Sequence, residues 1–152
     1  KKDMGLQQRV MEDMKAAMRA KDTVALESLR AIKSALLLAQ TETGPGTELS
    51  EEDEVKLIQK LVKQRKDSAA IYKEQGRKDL AEPELAQASI IEKFLPEQLT
   101  EEEIEKVVVR TIDTVGASGM KDMGKIMGIV SQELAGKADG KTISTIVKKN
   151  LM

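Results

Sequence analysis

Aromatic side chains are almost absent from this chain of 152 residues, with Tyr72 and Phe94 the only two. Since 40% of the residues are hydrophobic, any core must be built from leucine, isoleucine, valine, methionine and alanine. Leucine, methionine and alanine favour helices, and the aromatic residues that favour strands are missing. Strict alternation of apolar and polar residues, the pattern of a half-buried strand, persists nowhere along the chain. The sequence therefore predicts an all-α fold.

Two helices are predicted at the start of the chain. Apolar residues at helical spacing run from Leu6 to about Ala20, and Asp22 is placed to cap a second helix whose apolar stripe extends to Leu37. Gly44, Pro45 and Gly46 then interrupt any regular element. The pattern favours a helical hairpin followed by a break.

A third and a fourth helix follow the break. Ser50-x-x-Asp53 is a helix-start pattern, and the third helix is expected to run to Gln75. Arg65 lies within its apolar stripe, so we expect this side chain to be partly buried and paired with a carboxylate. The fourth helix is predicted from about Leu80 to Phe94, with Asp79 as its cap.

The segment FLPEQLT, residues 94–100, divides the chain. Pro96 disfavours a helical conformation at Leu95, and Thr100-x-x-Glu103 has the capping-box pattern of a new helix. Three shorter helices are predicted beyond it, at 101–115, about 120–134 and about 140–151. We therefore expect a larger N-terminal domain of about four helices, residues 1–95, and a small three-helix C-terminal domain, residues 96–152.

The residue inventory disfavours most enzyme chemistry. The chain has neither cysteine nor histidine, which removes thiol and imidazole catalysis and Cys/His metal sites. It also lacks a phosphate-binding glycine loop and an EF-hand. The acidic runs 51–54 and 101–103 fall in predicted first turns, where carboxylates favour the helix dipole, so we do not assign them to a metal. We expect no catalytic residue, cofactor or metal, no membrane span and a cytoplasmic location.

One segment, GASGMKDMGKIMG at 116–128, keeps glycines and lysines within a predicted helix. In a helical projection Met123, Met127, Val130 and Leu134 form the core stripe. The opposite arc carries Lys121, Gly124, Lys125, Gly128 and Gln132. Each interior glycine costs a helix about 0.5–1 kcal/mol relative to alanine, so these two weaken the helix without any gain in packing.

A local basic patch includes this arc. From Gly116 onward the chain has six lysines and three acidic residues, a net charge of +3, whereas the whole chain carries −1. Bare backbone beside lysines admits a phosphate chain or another helix, and the residues alone do not decide between these and a merely solubilising surface. If nucleic acid binds, the lack of aromatic residues favours phosphate or shape recognition of structured RNA or a duplex. The lysines of the patch are Lys121, Lys125, Lys137, Lys141, Lys148 and Lys149.

Several separated motifs resemble the YqeY family of small bacterial proteins, whose C-terminal part is similar to the tail of the GatB subunit of glutamine-dependent aminoacyl-tRNA amidotransferases. The resemblance covers the chain from about residue 6 to its end. The matching motifs are KQRKDS at 63–68, GRKDLAE at 76–82, FLPEQLTEEE at 94–103, GASGMKDMGKIMG at 116–128 and GKADGKTISTIVKK at 136–149.

The resemblance implies an all-α protein that contacts tRNA by its outer shape in the translation apparatus. It assigns this contact to Lys121, Gly124, Lys125, Gly128, Lys137 and Lys141. The ATP-dependent site of the amidotransferase is not implied, because the part that holds it is missing here. Three hypotheses result: a non-catalytic tRNA-binding or amidotransferase-related accessory protein; a protein-interaction module of the translation apparatus; and a component of carbon–nitrogen ligase activity with glutamine as amido-N-donor, by resemblance only.

Overall fold

The computed structural model describes residues 5–152, and these residues form seven α-helices and no strand. The all-α prediction is confirmed. A short 3₁₀ turn at Met120–Asp122 precedes the sixth helix. The helices are α1 (Leu6–Ala20), α2 (Thr23–Thr43), α3 (Glu51–Glu74), α4 (Lys78–Glu92), α5 (Glu101–Val115), α6 (Met123–Glu133) and α7 (Gly140–Leu151).

The contacts of the chain divide it into two compact units, one ending at Leu95 and one spanning Pro96–Met152. Helices α1 to α4 belong to the first unit and α5 to α7 to the second. Each unit has its own cluster of buried aliphatic side chains. That either unit folds by itself as a domain stays a prediction.

The core of the first unit is built almost entirely from aliphatic residues, as the composition requires. Ile32, Ile58 and Ile91 lie at its centre with essentially no exposed surface. Phe94 joins this core, and the Arg9 guanidinium lies 4.8 Å from its ring centroid, a cation–π arrangement. The apolar stripe of α2 is narrower than predicted, because Leu37 is 55% exposed.

Side-chain caps are present at the starts of α2, α3 and α5, as predicted from the sequence. The Asp22 carboxylate accepts a hydrogen bond from the Ala25 amide at 3.1 Å, and the Ser50 hydroxyl accepts one from the Asp53 amide at 3.0 Å. Before α5 the capping box is complete in both directions, with Thr100 and Glu103 each accepting from the other's amide. These bonds satisfy amides that a helix leaves unpaired at its N-terminus.

The predicted cap of α4 was wrong. The helix begins at Lys78, two residues earlier than expected, and ends at Glu92 rather than Phe94. Asp79 lies inside the first turn and does not cap it; its carboxylate accepts two bonds from Arg77, at 3.0 and 2.8 Å. This fork lowers the pKa of the Asp79 carboxyl from its usual range.

The predicted partner of Arg65 was also wrong. The side chain is half-buried, as expected, but it donates to the Gln87 amide oxygen at 3.0 Å and to the Leu61 carbonyl at 3.1 Å. Gln87 in turn donates to the Glu27 carboxylate at 3.3 Å. An amide therefore stands between the guanidinium and the carboxylate, and the chain of bonds links α2, α3 and α4.

The core of the second unit differs from the predicted stripe in one important residue. Ile126 is fully buried, with Val130 and Leu134 beside it, whereas Met123 and Met127 are half-buried. The predicted core stripe of α6 was therefore too narrow, because it left out Ile126. The expected helix over about 120–134 is divided into the 3₁₀ turn and α6, and the chain reverses after Glu133 with Gly136 at a φ of 81°.

Candidate functional site

Helix α6 carries the bare glycines of the predicted surface. Its buried face is fixed by Ile126 and Val130, and on a helix this leaves Gly124, Lys125 and Gly128 exposed. An ideal Cβ atom added at Gly124 or Gly128 meets no other atom within 4 Å. Neither glycine is therefore required by packing within the described chain.

The N-terminus of α6 has no side-chain cap. Asp122 occupies the capping position, but its carboxylate accepts from the Ser118 amide at 3.1 Å instead of from an amide of α6. The first turn of α6 contains Gly124 and Lys125 and no acidic residue. The 3₁₀ turn that leads into α6 already pairs the Met123 amide with the Met120 carbonyl, so the positive end of the helix dipole and the exposed Lys125 are what favour an anion here.

Helix α7 begins in a similar way. Gly140 and Lys141 form the start of its first turn, again without an acidic residue, although Asp139 caps the Thr142 amide at 2.7 Å. The helices α3 and α5 differ, since four and three carboxylates respectively occupy their first turns. The Gly-Lys pairs are therefore a property of the second unit's last two helices, which also pack against each other.

Lys137 lies in the turn between these two helices. Its amide donates to the Leu134 carbonyl and its own carbonyl accepts from the Leu99 amide, both at 2.9 Å, while its side chain is exposed. Gln98, next to Leu99, donates to the Gly136 carbonyl at 2.8 Å. The sequence reasoning did not single out Gln98; its place within FLPEQLT was the only available signal.

The last two predicted lysines lie at the other end of α7. Lys148 and Lys149 occupy its last turn, about 10 Å or more along the axis from Lys141, and cations there are stabilised by the helix dipole. The Lys149 Nζ atom also lies 3.9 Å from the Glu105 Oε2 atom. Within residues 5–152 it is the only one of the six lysines that forms an ion pair. All six side chains are exposed, and contact with RNA stays a prediction for each of them.

The family model for Yqey-like proteins matches residues 7–151. The chain belongs to this family. As predicted from its motifs, the match extends over nearly the whole sequence. Among residues 5–152 of this YqeY-like protein, every helix is too short or too polar to cross a lipid bilayer. The same residues contain no group of three acidic side chains placed to hold a metal ion.

Relatives of this YqeY-like protein include fungal and archaeal sequences. Altered inheritance of mitochondria protein 41 of Pyrenophora tritici-repentis is 30% identical over 144 residues, 93% of this chain and 78% of that protein. The protein of the same name in Clavispora lusitaniae is 32% identical over 127 residues, 81% of this chain and 72% of that one. A glutamyl-tRNA(Gln) amidotransferase subunit from Thermococcus gammatolerans is 40% identical over 79 residues, 49% of this chain but only 13% of the archaeal protein.

Proposed function

We propose that this YqeY-like protein is a non-catalytic accessory protein, related to the tRNA amidotransferases, that binds tRNA or another structured RNA through its second unit. The proposed contact residues lie in three consecutive parts of the second unit. They are Lys121, Gly124, Lys125 and Gly128 in the 3₁₀ turn and α6, Lys137 in the turn that follows, and Lys141 at the start of α7. We call these six residues the Gly/Lys surface. Lysines bind phosphate as point charges, so the surface recognises backbone rather than bases.

The observation that carries this proposal is the pair of helix N-termini. The first turns of α6 and α7 combine a bare glycine, an exposed lysine and the positive end of a helix. A lysine at that end is unfavourable for the helix alone by about 0.3–1 kcal/mol, and a nearby phosphate removes this penalty. The glycines allow a backbone to approach more closely than any side chain would.

The similarity to the archaeal amidotransferase protein supports RNA as the ligand, since that protein is named for a reaction on glutamyl-tRNA(Gln). Carbon–nitrogen ligase activity is not part of the proposal, because the matched segment is a small fraction of the archaeal protein. We also propose a cytoplasmic location, with which the lack of cysteine is compatible.

The test measures binding of purified tRNA across a series of salt concentrations. For the wild type we expect log K to fall steeply with log salt. The variant Lys121→Glu/Lys125→Glu removes two phosphate contacts, so the slope should decrease by about 1.4–1.8. The control is Lys56→Glu/Lys60→Glu in α3, which makes the same change of charge at the same i, i+4 spacing and differs in that it also removes the ion pair of Lys56 with Glu52. This control variant should keep a larger part of the wild-type affinity for tRNA.

Two results would contradict RNA binding at this surface. One is a wild-type affinity that does not change with salt. The other is an equal loss of affinity in the α6 and α3 variants, because net charge and not the Gly/Lys surface would then explain binding. Circular dichroism of each variant shows whether its helices are intact.

A protein partner is the second candidate, and the open space above Gly124 and Gly128 favours it. A helix from a translation component, such as the amidotransferase itself, could pack closely against this bare backbone. Under this hypothesis Gly124→Ala/Gly128→Ala abolishes capture of the purified amidotransferase, and tRNA binding is absent in both forms. Capture that survives the substitution would exclude the glycines as the docking surface.

A further inference from the structure

The segment that precedes α5 is hydrogen-bonded to the turn between α6 and α7. The Gln98 side-chain amide donates to the Gly136 carbonyl at 2.8 Å and to the Pro96 carbonyl at 2.7 Å. The next residue, Leu99, donates its backbone amide to the Lys137 carbonyl at 2.9 Å. Two successive carbonyls of the turn are therefore held by two successive residues of the segment.

The chemistry of these bonds fixes what residue 98 must supply. Both partners of the Gln98 side chain are carbonyl oxygens, which only accept, so the side chain must present its NH₂ group with both hydrogens engaged. Leu99 anchors the segment, because its side chain packs against the core of the second unit. On the other side of the turn, the Lys137 amide is bonded to Leu134 and Gly136 has a positive φ of 81°.

We infer that Gln98 is a positioning residue for the turn that carries Lys137. It holds the Gly136 carbonyl while Leu99 holds the Lys137 carbonyl, so the backbone on both sides of Lys137 is fixed. The Cα atom of Lys137, from which its exposed side chain extends, is therefore held in a defined position. We call the two hydrogen bonds from Gln98 to Gly136 and from Leu99 to Lys137 the clamp. Only the contact of Lys137 with RNA rests on the proposed function; that the clamp holds the turn does not depend on it.

The first arm of the test measures amide hydrogen exchange in the full-length chain. Gln98→Met keeps the length and removes both donors without a change of charge. We expect the Leu99 amide to exchange about five- to thirtyfold faster, since the loss of one hydrogen bond weakens local protection by about fivefold and the loss of two by about thirtyfold. Gln64→Met, at an exposed glutamine of α3, is the matched control and should leave exchange at Leu99 unchanged.

The second arm is a double-mutant cycle on tRNA binding. Lys137→Gln should lower the salt slope by about 0.7–0.9 in the wild-type background, as expected for one phosphate contact. In the Gln98→Met background the same substitution should change the slope much less, because Lys137 is no longer held in position. A purely structural role of Gln98 would leave the effect of Lys137→Gln equal in the two backgrounds.

The outcomes separate the two claims. Unchanged exchange at Leu99 in Gln98→Met overturns the clamp. Faster exchange with an unchanged effect of Lys137→Gln overturns the positioning role. A wild-type chain that binds no tRNA at low salt refutes the proposed function and the RNA part of this inference, while the exchange arm still decides whether the clamp exists.

Discussion

Replacing the two exposed glycines of α6 by alanine should stabilise the protein. Gly124 and Gly128 lie within the helix, and a Cβ atom at either position meets nothing within 4 Å. The substitution therefore adds no clash and removes the conformational cost of glycine in a helix. Gly128 is in the helix interior and should contribute about 1 kcal/mol; Gly124 is in the first turn, so about half of that is expected. The sum is about 1.5 kcal/mol.

Thermal unfolding followed by circular dichroism measures this gain. For a unit of this size that unfolds by itself, 1 kcal/mol shifts Tm by about 4–8 °C, so the double variant should melt about 6–12 °C higher. If the whole chain unfolds in one transition, the same free energy shifts Tm by only about 3–6 °C. The size of the shift thus reports whether the second unit unfolds independently.

Gly116→Ala is the matched control. This glycine also has nothing within 4 Å of an added Cβ atom, but its φ is 78°, in the left-handed region. Alanine there costs about 1–2 kcal/mol, so Tm should fall. The same chemical change should therefore have opposite signs at the two kinds of position. A lower Tm for Gly124→Ala/Gly128→Ala would refute the reasoning, because it would mean that the glycines are needed for packing.

The Arg77–Asp79 pair, the buried Ile126 side chain and the compactness of the second unit can each be tested by unfolding. Asp79→Asn should lower Tm at neutral pH. The hydrogen bonds from Arg77 lower the pKa of the Asp79 carboxyl, so its contribution to stability is fully present above the usual pKa of an aspartate and is lost as the pH falls through the lowered pKa. Melting curves of the wild type and the variant should therefore differ at pH 7 and converge in acid. Ile126→Ala should cost about 2–5 kcal/mol in chemical denaturation because the side chain is fully buried, and a cost below 1 kcal/mol would contradict its place in the core. A fragment of residues 96–152 should show a cooperative helical melting transition if the second unit is a domain, and a fragment without one would remove that prediction.

Local patterns in the sequence were sufficient to locate most helix ends. Asp22, Ser50 and Thr100 each cap a helix through a bond to an amide three residues later, so both partners lie within one short window of sequence. The glycine stop at Gly116 is local in the same way, since it depends on the backbone conformation of a single residue. Features of this kind need no knowledge of the tertiary fold.

Two of the errors arose from contacts with residues distant in the sequence, and the third from a competing contact two residues away. Arg65 is bonded to Gln87, 22 positions later, and nothing in the sequence near Arg65 distinguishes this amide from a carboxylate. Ile126 is buried because α5 and α7 both pack on α6, which widens the apolar face beyond that of a helix covered on one side. Asp79 had a cap's sequence context but pairs with Arg77 instead.

The charge at the helix N-termini leads to a last prediction, in which binding and stability change in opposite directions. Lys125 and Lys141 occupy first turns, where a carboxylate would be favoured by about 0.3–1 kcal/mol over no charge. Lys125→Glu/Lys141→Glu should therefore raise Tm by a few degrees while it reduces tRNA affinity. Glu101→Lys/Glu102→Lys in the first turn of α5 reverses the charge the other way and should lower Tm. A residue that destabilises its own helix and is nevertheless present indicates a function that requires it. A lower Tm of the Lys125→Glu/Lys141→Glu variant, with unchanged affinity for tRNA, would instead show that these two lysines stabilise the fold and do not bind a ligand.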